Sequence, residues 1–277
     1  MTFFEAVFLG VLQGATEYLP VSSSGHLILA EHLLGLPDIP LVFDVMLHIG
    51  TLFAVLVYFQ KDWLSMTSSL FYFKWGKRDD DKDDDKRDKN LYRRLPMCLM
   101  LGTIPGGLGG LVFSRYAETV FRSPWIVVFM LLTVAFLLAL AERFSGMERE
   151  FSNIGLKDAL IIGCSQALAI VPGVSRSGIT MGTAMLLGLK REAAARFSFL
   201  LSAPIIAGSG LYEGFKLLRQ QGLGAFSPDF VWGPLAAAVS GYLAVSFLMR
   251  YVARHTFYPF VYYRIIVSLF VAIILIK

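Results

Sequence analysis

The chain has 277 residues, of which 56% are hydrophobic and only 17% charged, with a formal net charge of +4. A soluble domain usually carries about 25% charged residues. Here long apolar stretches recur from end to end, and the mean hydropathy is +0.61. This excludes a water-soluble globular enzyme, and continuous rather than alternating apolar runs argue against an outer-membrane barrel. The modest charge gives no reason to expect a nucleic-acid partner. What remains is an all-α polytopic membrane protein surrounded by membrane lipids.

Met1 to Leu19 contains no basic residue, so it does not read as a cleaved signal peptide. Six segments look long enough to cross a bilayer: 41–60, 95–113, 124–141, 197–212, 230–249 and 256–276. Two further regions are apolar but broken. Residues 3–36 are interrupted at Pro20, and residues 157–189 at Pro172-Gly173. Each half is about 11–17 residues, or roughly 16–26 Å of helix. That falls short of a hydrocarbon core of ~30 Å, so each pair reads as a re-entrant hairpin. Cys98 and Cys164 fall in apolar segments and read as reduced core residues, not a disulfide.

Basic residues orient the chain. Residues 1–60 contain no Lys or Arg, whereas 61–94 contain ten. The positive-inside rule makes 61–94 a cytoplasmic charged loop. Alternating the crossings then places 143–157, 190–196 and 250–255 inside and both termini outside. The acidic run Asp79 to Asp88 matches no EF-hand spacing and reads as a solvated, disordered loop.

An internal repeat organises these spans. Residues 10–36 (GVLQGATEYLPVSSSGHLILAEHLLGL) and 163–189 (GCSQALAIVPGVSRSGITMGTAMLLGL) match at an offset of 153, with ten of 27 positions identical. The identities include Gly10/Gly163, Gln13/Gln166, Ser22/Ser175, Ser24/Ser177 and Gly25/Gly178. The expectation is a single membrane domain, 1–277, built from repeat one (1–142) and repeat two (143–277). Each repeat is a re-entrant hairpin followed by three transmembrane helices. Three crossings invert the second copy, as in many transporters. The turns 20–26 and 172–180 should then meet near the midplane.

Polar residues at membrane depth point to function. Gln13 and Glu17 lie i and i+4 on one helix face. Glu17 needs a cation or a donor in apolar surroundings, and Mg²⁺ or Ca²⁺ would suit an oxygen ligand. Ser22, Ser23, Ser24 and Gly25 open the next helix, where free N–H groups and the dipole favour an anion. His26 adds a nucleophile or an acid/base beside them. In the second turn, Arg176 suits bidentate phosphate binding, flanked by Ser175, Ser177 and Thr180. Asp44, His48 and Arg264 also fall inside spans, either as supporting partners of the site or as plain helix–helix bonds. Together these residues predict a phosphate site with apolar walls, suited to a phosphate carrying a lipid tail.

Gln13-Gly-Ala-Thr-Glu17, Pro20-Val-Ser-Ser-Ser-Gly-His26 and Pro172-Gly-Val-Ser-Arg-Ser-Gly-Ile-Thr180 resemble the two signatures of the bacterial undecaprenyl-diphosphate phosphatase family, also called bacitracin-resistance proteins. The similarity covers essentially the whole chain. Gln13 stands at a position that is often Glu in that family. The resemblance implies hydrolysis of a polyprenyl diphosphate lipid to the monophosphate. It also implies dependence on a divalent cation, a site on the outer side of the bacterial plasma membrane, and a part in recycling the cell-wall lipid carrier. Under it, Glu17, His26, Ser23 and Arg176 are the catalytic candidates, with Glu17 also the metal ligand. Ser22, Ser24, Gly25, Ser175, Ser177, Thr180 and Gln13 are the phosphate-binding candidates, and Asp44, His48 and Arg264 are secondary. The nucleophile stays open among His26, Ser23 and water. A homodimer is compatible with the sequence but not specified by it. The rival reading is a polyprenyl-phosphate transporter using the same midplane site.

Overall fold

A computed structural model describes residues 2–34, 41–72, 83–118, 121, 123–221 and 231–276. Among these residues the chain forms eleven α-helices and no named strand. They are α1 (Phe3–Glu17), α2 (Ser23–Leu34), α3 (Leu41–Tyr58), α4 (Gln60–Tyr72), α5 (Asp83–Glu118) and α6 (Pro124–Phe144), then α7 (Leu156–Ala167), α8 (Arg176–Leu186), α9 (Arg191–Gln221), α10 (Trp232–Val252) and α11 (Tyr258–Ile276).

Stretches of α5, α6, α9, α10 and α11 are each long and apolar enough to cross a membrane. They coincide with five of the six expected spans. At the other, α3 bends by 73° into α4, and the pair passes as one broken span. Large apolar side chains face outward on these helices. Phe136 is 67% exposed and Ile266 65%, a surface suited to lipid and not to water.

Helices α1, α2, α7 and α8 have 15, 12, 12 and 11 residues. None alone reaches the length of a span. The breaks have local causes. Pro20 has no N–H to continue a helix. Ser22 adopts φ 79° and its Oγ accepts from the Gly25 N–H (3.3 Å). In the second turn Gly173 sits at φ 93° and Ser175 at φ 67°, and Ser175 Oγ accepts from the Gly178 N–H (3.1 Å). Both positive-φ serines stop one helix and cap the next, at positions 153 apart.

The halves interlock. Helix α1 packs on α10 and α7 packs on α5, so each broken segment's leading helix lies against the other half. Glycines set the closeness. A Cβ on Gly10 would come within 2.2 Å of the Gly233 carbonyl oxygen, and one on Gly163 within 2.3 Å of the Gly102 carbonyl oxygen. At the core, α9 packs against α3, α5 and α8 around Phe197, Phe199, Met181 and Met185, all fully buried.

The segments assigned to the cytoplasmic side are tied together by ion pairs. Arg196 pairs with Asp62 (2.5 Å), Arg191 with Glu142 (2.5 Å) and Arg149 with Asp158 (2.6 Å). Glu142 also accepts from the Phe257 N–H (2.6 Å).

Two expectations need correction. The charged segment 61–94 is not one loop, and the acidic run within it is not all irregular. Gln60–Tyr72 is helical because Asp62, Trp63 and Met66 recur on one side, where Asp62 and Met66 are buried. Asp83 to Asp88 form the start of α5, and residues 79–82 lie outside the described residues. Both cysteines are free thiols as expected, but only Cys98 is in the core. Cys164 faces outward.

Gly163→Ala should force α5 and α7 apart and lower stability by roughly 1–3 kcal/mol, the usual size of overpacking. Gly146→Ala, with nothing within 4 Å of the new Cβ, should leave stability unchanged. Thermal unfolding in detergent compares the two directly.

Candidate active site

Glu17 ends α1 and is nearly buried. Its carboxylate is the meeting point of both turns. Oε2 accepts from Gln13 Nε2 (2.9 Å), one helical turn back, and from Ser23 Oγ (2.5 Å), at the start of α2. Oε1 accepts from Arg176 Nη2 (2.5 Å), at the start of α8. The turns also touch through Ser177 Oγ, which donates to the Leu19 carbonyl (2.9 Å). Glu17, Ser23, Ser24, His48, Ser175 and Arg176 line one wall of a cavity of about 900 Å³. The remaining walls, from α5, α7 and α9, are largely apolar.

Two buried atoms of this group have no partner, the second guanidinium nitrogen of Arg176 (Nη1) and the amide oxygen of Gln13 (Oε1). Buried polar groups are rarely left unpaired in a native fold. A free N–H beside a carboxylate-bound one is half of the fork that fits a phosphate. The cavity therefore offers an anion a donor, and an apolar tail a place to lie.

The chain is similar to known proteins over nearly its whole length. The family described as bacitracin resistance protein BacA matches residues 6–270. The chain belongs to this family. Among the curated relatives, three named undecaprenyl-diphosphatase are similar over nearly their whole length. The Desulforudis audaxviator protein is 45% identical over 98% of this chain and 97% of its own. The Rubrobacter xylanophilus protein is 44% identical over 98% and 97%. The Gemmatimonas aurantiaca protein is 43% identical, again over 98% and 97%.

Within this bacitracin-resistance protein fold, the site candidates separate by position. Gln13, Glu17, Ser23 and Arg176 form one hydrogen-bonded cluster. His48 joins it, with Nε2 3.9 Å from Glu17 Oε2. The His48 Nδ1–H donates to the Asp44 carbonyl (2.8 Å), and the Asp44 carboxylate lies 3.6 Å away. Ser22 and Ser175 serve as caps, each near a second hydroxyl, Ser24 (3.5 Å) and Ser177 (3.2 Å). Gly25 lies close under the Ser22 cap. Thr180 points into the protein, 2.6 Å from the Ser198 hydroxyl, and does not line the cavity.

His26 does not line the cavity either. Its Nδ1–H donates to the Ser22 carbonyl (2.7 Å), which leaves Nε2 to accept from the Tyr263 hydroxyl (2.7 Å). The two rings stack at 5.6 Å. Tyr263 carried no sequence signal. Neither did Ser198. Gln166 did, as the repeat partner of Gln13, and it proves to be a cavity residue with a buried, unpartnered Oε1.

Arg264 is fully buried on α11, and all its described acceptors are main-chain carbonyls. It donates to Pro20 (3.0 Å) in the first turn and to Gly173 (2.8 Å) and Val174 (3.3 Å) in the second. It also donates to Leu131 (3.0 Å) and Met130 (3.3 Å) on α6. It is a clamp on both turns and does not line the cavity.

Arg264→Met should strand these carbonyls at about 1–3 kcal/mol each where water cannot replace the donor. The melting temperature in detergent should fall sharply. Arg250→Met, which removes only exposed bonds to Ser246, should shift it much less.

Proposed function

We propose that this protein hydrolyses undecaprenyl diphosphate to undecaprenyl phosphate and inorganic phosphate. The observation that carries the reading is the Ser23 hydroxyl donating to the Glu17 carboxylate at 2.5 Å, beside the half-free fork of Arg176, on the polar wall of an apolar cavity. A serine activated by a neighbouring base is the usual form of a hydroxyl nucleophile.

The diphosphate enters with its terminal phosphate against Arg176 Nη1. Ser23 Oγ attacks the terminal phosphorus as Glu17 takes its proton. The bond to the bridging oxygen breaks, and undecaprenyl phosphate leaves with that oxygen and the bond's electron pair. Glu17 passes that proton to the departing undecaprenyl phosphate and is a carboxylate again. It then takes a proton from water as the water attacks the phosphoserine. The bond from phosphorus to Ser23 Oγ breaks with its electron pair on Oγ, Oγ recovers the proton from Glu17, and inorganic phosphate departs. Arg176 stabilises charge on the transferring group throughout. His26, held on both nitrogens away from the cavity, orders the Ser22 turn and α2 in this scheme. His48 supports the Glu17 carboxylate.

A divalent cation fits as a species brought partly by the substrate. Among the described residues no three His, Cys, Asp or Glu side chains cluster to hold one. Glu17, which lines the cavity, is the oxygen donor that would hold it together with diphosphate oxygens. When bound, the ion supplies neutralisation of phosphate charge.

The Lys and Arg bias of the connectors supports placing them in the cytoplasm, and the plasma membrane follows from the family resemblance. The outward-facing site then follows the family resemblance. The exchange of α1 and α7 between halves, with matched caps and glycines, supports the inverted-repeat reading. A transporter would use the same anion site, but carriage needs no hydroxyl bonded to a base.

Phosphate release from undecaprenyl diphosphate by purified protein in detergent tests the proposal. Ser23→Ala and Glu17→Gln should each lower kcat by roughly 10²–10⁴-fold, the range a positioned proton acceptor contributes. Arg176→Ala should abolish release, and EDTA should suppress it. Near-normal turnover by folded Ser23→Ala would remove Ser23 as the nucleophile.

A further inference from the structure

We infer that the isoprenoid chain of the substrate lies in a slot between α5 and α9, held open by Gly107 and Gly110, and that these two glycines set the chain length the enzyme accepts. The inference rests on the phosphatase reading of the polar wall and adds a specificity element to it.

Glycine inside a helix is about 1 kcal/mol less favourable than alanine, so each one requires a reason. Helix α5 carries Gly102, Gly106, Gly107, Gly109 and Gly110. Three have a packing reason against α7. A Cβ on Gly102 would lie 2.9 Å from the Ala159 carbonyl oxygen, one on Gly106 3.0 Å from Gln166 Nε2, and one on Gly109 3.2 Å from the Ala167 Cβ. The other two have none. A Cβ on Gly107 would meet only Ile205 Cδ1, at 4.0 Å, and one on Gly110 would meet nothing within 4 Å. Neither has the positive φ that favours glycine. Both line the cavity, and so does Gly208 of α9, which also has nothing within 4 Å of its Cβ position. What these positions preserve is empty volume.

A second observation shows that the volume is meant for a ligand. Gln166 is 4% exposed, lines the same cavity and abuts Gly106, yet its Oε1 has no partner. With the free Arg176 Nη1, it gives the wall one unmet acceptor and one unmet donor. A diphosphate oxygen meets the donor, and a protonated phosphate oxygen or a water of its hydration shell meets the acceptor. Beyond them the lining is apolar, through Met100, Ile104 and Leu108 of α5 and Ile205 and Ile206 of α9. A group that is anionic at one end and a branched hydrocarbon along its length matches both parts. No smaller phosphate ester would need the second part.

The test uses the full chain in detergent with two substrates, undecaprenyl diphosphate and farnesyl diphosphate. Gly107→Leu and Gly110→Leu should lower kcat/KM for the long substrate at least about tenfold, a loss of ~1.4 kcal/mol. Farnesyl diphosphate should be hydrolysed at near the wild-type rate. Gly146→Leu, away from the cavity and with nothing within 4 Å of its Cβ position, should leave both substrates unaffected. Should either leucine variant unfold, Gly208→Leu on the opposite wall carries the same expectation. Leucine variants that cleave both substrates like wild type would overturn the slot while leaving the phosphatase reading intact. Equal loss of both substrates in a folded variant would overturn it too, because the side chain would then be blocking the phosphate wall. A wild-type protein that releases phosphate from neither substrate would take down the phosphatase reading, and the slot with it.

Discussion

One buried guanidinium holds the site together. Arg264 reaches from α11 to the carbonyls of Pro20, Gly173 and Val174, so a single side chain bonds both interrupted segments. Where helices break inside an apolar layer, carbonyls are left without N–H partners and water is absent. A fork of five N–H donors can answer several at once, which a lysine ammonium, with three donors on one atom, cannot. The bonds to Met130 and Leu131 anchor the fork to α6, so the turns are fixed to a spanning helix as well as to each other. Burying an arginine with carbonyls as its only described acceptors is costly. Its retention here reflects what it holds in register.

With the turns fixed, equivalent backbone geometry supports different chemistry. Ser22 and Ser175 both take the left-handed conformation, which is strained for a residue with a side chain. Both use their Oγ to cap the N–H three residues on. Each thereby points its following residue toward the shared cavity. In the first turn that residue is Ser23, and in the second it is Arg176. Glu17, at the last position of α1, meets both. The corresponding position in the second half is Ile170, so the two turns bring one carboxylate to one guanidinium. The asymmetry that makes a site is a matter of three side chains on two similarly built turns.

Much of this was legible in the sequence because the signals were local. Span length, proline interruption and the repeat at an offset of 153 needed no tertiary knowledge. They located α5, α6 and α9 to α11 and the two broken segments. Glu17, Ser23 and Arg176 were legible as polar residues that an apolar layer would not tolerate without purpose. What escaped was set by packing. His26 looked equivalent to Ser23 in the motif, but its ring is held by the Ser22 carbonyl and by Tyr263 of α11. Thr180 lies one turn beyond Arg176 and turns inward to Ser198. Arg264 and His48 both looked like supporting residues. Only the fold separates the clamp from the one that reaches Glu17. The bend between α3 and α4 was hidden because the charged run after residue 60 resembles a loop in composition, while its buried positions recur with helical spacing.

The resting cluster also explains how an apolar site tolerates charge before substrate arrives. Glu17 and Arg176 neutralise each other, and Ser23 and Gln13 occupy the other carboxylate oxygen. In low dielectric such a pair is held strongly, and separating it without replacement would be prohibitive. A diphosphate supplies the replacement. It first meets Nη1, the donor with no partner, and its charge then competes with Glu17 for Nη2. As the guanidinium turns to phosphate, the carboxylate loses its strongest stabilising partner while Ser23 remains bonded to it. On the reaction proposed above, substrate binding and activation of the serine are one event, because Arg176 is drawn from Glu17 only when a phosphate is there to receive the Ser23 oxygen.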